Sequence, residues 1–194
     1  QVSGKDVTNR QAGEIARSGV AHVPEDRLAT GLIGGMDLSA NAILREYGHP
    51  PLAQGPFLSG TAVSRFTDTL IAAHDVKTPG RWARLRTLSG GNQQKLLLGR
   101  ELNGAPNLIV AVHPTRGVDI GATEAIHSAL REQRERGAAT LLISEDLDEL
   151  LALSDRIAVM FAGNLMGVMS ARGADREQIG LLMAGVAPEA TTNG

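Results

Sequence analysis

The stretch Leu88-Ser89-Gly90-Gly91-Asn92-Gln93-Gln94-Lys95 is the segment best suited to chemistry. Two glycines after a serine bend the backbone and leave a hydroxyl and unobstructed amides at the start of an apolar helical run. The free N–H groups and the dipole at such a helix end favour phosphate oxygens. A plain serine-capped helix after a glycine turn explains the same tripeptide, and Ser-Gly-Gly alone does not separate the two readings. Three more segments stand around it in a fixed order. Upstream lies Gly19 to Arg27, with Val23-Pro24-Glu25-Asp26-Arg27 at its end. Downstream, His113-Pro114-Thr115-Arg116-Gly117-Val118-Asp119 follows the apolar run Leu108–Val112, and Ser144-Glu145-Asp146 follows Thr140–Ile143.

The elements that must position these residues differ between the two halves of the chain. From Glu25 to about Leu88 the sequence is loop-rich, broken by Gly34-Gly35, Pro50-Pro51, Gly55-Pro56 and Pro79-Gly80. It holds two helix candidates. One is Leu38 to Arg45, capped by Ser39 or Asp37; the other is Thr61 to His74, with Val63, Phe66, Leu70 and Ile71 on one face. From Ser89 onward helices and strands alternate: a helix near Gly91–Leu102, a strand Leu108–Val112, a helix Asp119–Arg136, a strand Thr140–Ile143, a short helix Asp146–Ala152 and a strand Ile157–Phe161. Apolar strands of this length spaced by helices predict an α/β fold with a parallel sheet covered on both faces. In the helix Asp119–Arg136, Ile126 and Leu130 point inward, and Arg131/Glu135 and Glu132/Arg136 form i,i+4 pairs on a solvated side. Ala162-Gly163-Asn164 reads as a hairpin turn between two short strands.

Composition narrows the function. The 194 residues carry 19 basic and 21 acidic side chains, a formal charge of −2, 42% hydrophobic residues and no cysteine. A chain of this size can bury about 70% of its unfolded surface. The missing cysteines exclude a disulfide scaffold and a Cys-based zinc module, and the near-neutral balance argues against a nucleic-acid or anionic-membrane binder. His22, His49, His74 and His127 show no metal-ligand spacing. No apolar run reaches the length of a membrane span. The chain opens on Gln1 rather than Met and reads as a piece of something longer.

In order and spacing the four segments resemble the ATP-binding cassette (ABC) ATPases from their glutamine-loop region to their C-terminus. The resemblance covers essentially the whole chain. The wording of 23–27, 88–95, 114–119 and 144–160 is closest to the second cassette of tandem-cassette subunits that energise bacterial importers of simple sugars and nucleosides. Pro50-Pro51 and the following Gly-Pro-Phe resemble the nucleoside branch. The resemblance implies a P-loop NTPase-like fold, N-terminally truncated. Its expected segments are 1–24, the end of a β-region and the strand before the glutamine loop; 25–88, a helical subdomain; 89–186, the α/β core; and 187–194, a frayed tail.

Carried over position by position, the resemblance gives an uneven site. Ser89, Gly90, Gly91, Asn92 and Gln93 form the signature, which in this family closes over ATP held by a partner cassette. Asp119 occupies the loop crossing the cassette interface. Val112 stands where the family has a magnesium-orienting Asp, and it offers no oxygen to a hard cation. His113 stands at the general-base position, Glu145 at the switch-histidine position and Glu25 at the glutamine-loop position. Two carboxylates facing a triphosphate would repel it unless a cation intervened. Bland readings fit each: a buried strand end, a hydrogen-bonded histidine before proline, and a carboxylate at a helix N-terminus. No G-x-x-x-x-G-K-[ST] occurs; Ser3-Gly4-Lys5-Asp6 only resembles its tail, and Val2 to Thr8 reads as β-region.

The expectation is an ATP-binding subunit whose cassette donates its signature to ATP and Mg²⁺ held by an N-terminal partner cassette, with its own hydrolytic groups degenerate and no nucleotide or metal held by the chain alone. Its partners would be that cassette, transmembrane permease subunits docking near Arg27 to Leu38 and, indirectly, a solute-binding protein. Its place would be the cytoplasmic face of the inner membrane. Whether the word enzyme suits the chain stays open, and a sheet without upstream strands is expected to expose apolar surface. Three other readings stand beside this one: a binding or regulatory module without catalysis, a decayed gene product, and a DNA-repair-type ATPase of the same family. The last is disfavoured by the absence of heptads and of basic excess.

Overall fold

Short apolar strands alternate with side-chain-capped helices. The computed structural model describes residues 1–186 and divides into two compact units, Gln1–Ile143 and the segment from Ser144 onward. In the first unit the order is α1 (Ala12–Arg17), β1 (Val20–Val23), a single π-helical turn (Arg27–Gly31), α2 (Leu38–Ala42), β2 (Ala53–Gln54), β3 (Phe57–Leu58), α3 (Gly60–Ala73), α4 (Gly90–Leu102), β4 (Leu108–Val112), α5 (Ile120–Glu135) and β5 (Ala139–Ile143). β1, β4 and β5 form a parallel sheet in that spatial order, with Val20 opposite Leu108 and Leu108 opposite Ala139. β2 and β3 make a separate small hairpin.

Caps set where the helices begin. Asp37 Oδ1 accepts from Ala40 N–H at 2.8 Å, which makes Asp37 the cap of α2 and leaves Ser39 buried beyond it. Asp119 Oδ1 accepts from Ala122 N–H at 2.9 Å at the start of α5. Each such cap is worth about 1 kcal/mol. The first helix candidate is shorter than its sequence suggests. α2 ends at Ala42, the chain leaves it in turns on the Ile43 carbonyl, and Arg45 swings in to meet Glu101 and the Val20 carbonyl.

Ala21, Val23, Ile109 and Ala111 of the sheet are buried together with Leu96, Leu97 and Leu98 of α4 and Ile126 and Leu130 of α5. Each fully buried aliphatic side chain contributes about 1.5–3 kcal/mol. The expected sheet buried on both faces is not what forms. Leu108, Val110 and Val112 of β4 are only half-buried, and Leu141 and Ile143 of β5 are 54% and 46% exposed. β4 buries one set of its alternating side chains and β5 buries none, so the apolar runs overstated the burial.

The second unit runs α6 (Leu147–Leu153), β6 (Arg156–Phe161), β7 (Asn164–Ser170) and α7 (Arg176–Met183). β6 was expected among the parallel strands. Among the described residues it pairs only with β7, antiparallel, through a turn with Ala162 at φ +46 and Gly163 at φ +82. Positive φ at both central residues matches the right-handed twist of a hairpin. Ile157, Val159, Ala171, Ile179 and Leu182 form its core. The tail expected over 187–194 lies outside the described residues. No helix among the described residues is long and apolar enough to cross a membrane.

Candidate functional site

Ser89 caps α4 and is exposed at its tip. Its Oγ accepts from Asn92 Nδ2 at 2.9 Å and, more weakly, from Asn92 N–H at 3.5 Å. Asn92 is itself fixed, since its Oδ1 accepts from the Lys77 N–H at 2.7 Å. With both donors on the oxygen's lone pairs, the hydroxyl hydrogen of Ser89 is left for an external acceptor.

The two glycines are needed for packing as well as for access. A Cβ on Gly90 would run into the Arg27 guanidinium and lie 3.0 Å from the Gly117 carbonyl oxygen. One on Gly91 would sit 3.0 Å from both Ala122 Cβ and Asp119 Oδ2. The helix tip is therefore pressed against the loop between β4 and α5, in which Gly117 adopts φ +68. Gln94 completes that contact by donating from Nε2 to the Pro114 carbonyl at 2.7 Å.

Arg27 draws the third segment in. Its Nε donates to Gln93 Oε1 at 3.3 Å and its Nη1 to the Arg116 carbonyl at 3.2 Å. Gln93 is turned inward: it is buried, and its Nε2 donates to the Leu88 and Leu85 carbonyls at 3.0 and 3.4 Å. Glu25 pairs with Arg116. That exposed ion pair contributes little to stability, of the order of 0–1 kcal/mol. It places a cation beside one of the two carboxylates, the condition under which their repulsion of a triphosphate is relieved.

The remaining positions are placed as follows. Asp119 is the exposed cap of α5, beside Gly91. Val112 ends β4, half-buried and without an oxygen on its side chain. His113 takes φ +45, an uncommon conformation for a non-glycine residue. Its N–H extends the sheet ladder to the Ile143 carbonyl at 2.8 Å, and among the described residues its imidazole makes no hydrogen bond. Glu145 belongs to the second unit, exposed and one residue before Asp146, the cap of α6. Ser3 and Gly4 form a tight turn closed by an isolated Val2–Lys5 bridge. The first unit thus gathers Glu25, Ser89 to Gln93 and Asp119 into one neighbourhood.

Sequence reasoning missed the residues that hold this neighbourhood together, Arg27, Gln94 and Arg116. It also missed a buried ionic cluster at the far end of α4. Arg100 and Glu101 sit inside the buried stretch 96–102, and charged residues in such a stretch have to be paired. That signal was available in the sequence; the partner, Arg45, was not.

Architecture and neighbourhood together define an α/β ATP-binding cassette fold. The chain superposes on an ATP-binding cassette solved as a dimer in a post-hydrolysis state with ADP and phosphate, at a TM-score of 0.72, 19% identity, and coverage of 89% of this chain and 73% of that one. It also superposes on a nucleotide-free ATP-binding cassette from an ABC transporter, at 0.68 and 23% identity, covering 92% and 70%. No family model matches the sequence. In sequence the chain is related to ATP-binding subunits of importers. It is 40% identical over 181 residues to the nucleoside import ATP-binding protein NupA of Lactococcus lactis, 40% over 184 to the guanosine import ATP-binding protein NupO of Bacillus subtilis, and 40% over 195 to the glucose import ATP-binding protein TsgD13 of Haloferax volcanii. These alignments cover 93%, 95% and 100% of the chain and 36% of each relative, so it spans about a third of their length.

Proposed function

We propose that the chain acts as the C-terminal cassette of an ATP-binding subunit in a bacterial importer for simple sugars or nucleosides, and that it donates its signature to ATP held by another cassette. The observation that carries this reading is the Ser89 hydroxyl. It is exposed, accepts from Asn92, and keeps its hydrogen for an acceptor beside the amides that open α4. A developing charge on a phosphoryl group is what such donors stabilise.

The chain's own nucleotide site does not fit the group. Val112 offers no ligand to Mg²⁺, and the Glu25 side chain is taken up by Arg116. The magnesium carboxylate and general base would come from the partner cassette, and the residues here would bind, orient and close. Segments 1–24, 25–88, 89–186 and 187–194 would serve as glutamine-loop strand, helical subdomain, core and tail. Permease subunits would dock where Leu28, Ile33 and Met36 are exposed beside the cationic Arg84 and Arg86, on the cytoplasmic side of the membrane. A solute-binding protein would act through them. The relatives named for nucleoside, guanosine and glucose import leave the solute undivided between the two classes.

The test is Ser89→Arg in the full-length subunit, read by ATP turnover. A loss of at least about tenfold is expected from removing a transition-state donor and filling its space. Turnover at the wild-type rate would sink the proposal. His113→Ala in the same assay leaves turnover close to wild type.

A further inference from the structure

β1 has a free edge. On one side it pairs with β4; among the described residues no strand lies on the other. An open row of backbone donors and acceptors there would be costly where it is buried. The structure fills it with two side chains. Arg45 Nη2 donates to the Val20 carbonyl at 2.9 Å, and Glu101 Oε2 accepts from the His22 N–H at 3.2 Å. The carbonyl of one residue and the N–H two residues on are the pair that a single residue of a parallel neighbour would engage. Arg45 and Glu101 are in turn joined by an ion pair, with the Glu101 side chain 5% exposed and that of Arg45 23%. The ion pair therefore stands in for one residue of a missing strand.

The same carboxylate reaches further. Glu101 Oε1 accepts from Arg100 Nε at 3.0 Å, and Arg100 donates to the Gly31 carbonyl at 2.7 Å and the Asn41 carbonyl at 3.3 Å. One buried group thus ties together β1, the π turn after it, the end of α2 and the C-terminal turn of α4. β1 runs straight into Glu25 and Arg27, and α4 begins at Ser89.

We propose that Arg45 and Glu101 are positioning residues which make the Glu25–Arg27 loop and the signature helix move as one piece with the segment that bears Arg45. A partner pressing on the face near Arg27 to Leu38 would then displace Ser89 through this joint rather than through the exposed Glu25–Arg116 pair. The functional half of this proposal rests on the signature-donor reading; the edge-sealing half stands on geometry alone.

The experiment uses the full-length subunit in complex with its membrane partner. Arg45→Met removes the bridge while leaving Glu101 paired with Arg100. Hydrogen exchange over residues 20–23 should speed up by about tenfold or more, with β4 amides unchanged. Partner-stimulated ATP turnover should fall several-fold while KM for ATP stays at its wild-type value. Arg45→Lys, which can still pair with Glu101 but cannot fork to both partners, should recover part of each effect. Unchanged exchange over 20–23 overturns the edge seal. Faster exchange with unchanged partner stimulation overturns the coupling role. If Arg45→Met does not fold, the same two readouts on Arg45→Lys decide. Ser89→Arg tests the donor reading separately, so a failure there leaves the exchange result standing.

Discussion

Arg100→Met is the substitution whose cost follows most directly from the structure. The methionine keeps most of the stem volume and removes three donors. Gly31 O, Asn41 O and Glu101 Oε1 each lose a partner at positions that are buried. An orphaned buried acceptor costs about 1–3 kcal/mol, and breaking a buried ion pair about 3–5 kcal/mol. Glu101 still holds Arg45 and the His22 N–H, which puts the total near the lower end, at about 4 kcal/mol. With a urea m-value of about 2 kcal/mol per molar, the midpoint for the unit containing α4 should fall by about 2 M. Far-UV circular dichroism across a urea series measures it, and Arg100→Lys, with one donor group instead of a fork, should lose about half as much. A shift below about 0.5 M for Arg100→Met would refute the claim that this cluster is a main tie between α4 and the segments before it.

Two further perturbations have clear signs. Burial holds the His74 imidazole below its ordinary pKa, with Glu132 pulling weakly the other way. The unfolded chain then takes up a proton below about pH 6.5 that the folded chain refuses, so this residue's contribution to stability falls as pH drops through that value and levels off once the folded ring protonates. His74→Gln should flatten the change in urea midpoint between pH 7.5 and 5.5, and an unaltered slope would contradict the assignment. Asp119→Ala removes the cap of α5 and should cost about 1 kcal/mol, or 2–4 °C in Tm, while Asp119→Asn stays within a few tenths of a kcal/mol. Calorimetry on the two variants separates the capping role of Asp119 from any role at a cassette interface.

Periodicity made the helices legible, because α3, α4 and α5 each bury one face or more; Ser89 and Asp119 stand in the sequence at the starts of α4 and α5, while the Ser59 cap of α3 emerges only in the structure. Periodicity was silent on α1 and α7. It misjudged β5, because a mostly apolar strand reads the same whatever packs on it, and here none of its residues is buried. The signature segment was legible because its residue types and spacing are local. The links among Arg27, Gln93, Arg116 and Glu25 were not, since they join residues up to 91 positions apart and depend on side-chain direction.

Those links also bear on the proposed role of Glu25. At the glutamine-loop position a carboxylate facing a triphosphate would be a liability, yet Glu25 is spent on Arg116, whose carbonyl is held by Arg27, which also holds Gln93 of the signature helix. The glycines behind Ser89 leave room for Arg27 and Gly117 on one side and for Asp119 and Ala122 on the other. A site that must release and rebind its own nucleotide needs these loops to part. One that only presents a hydroxyl and a row of amides to a neighbour gains from having them tied, because every interaction fixed beforehand is ordering that closure does not have to supply. On the proposed donor reading, Glu25 serves as a strut, through Arg116 and Arg27, for the helix tip that bears Ser89.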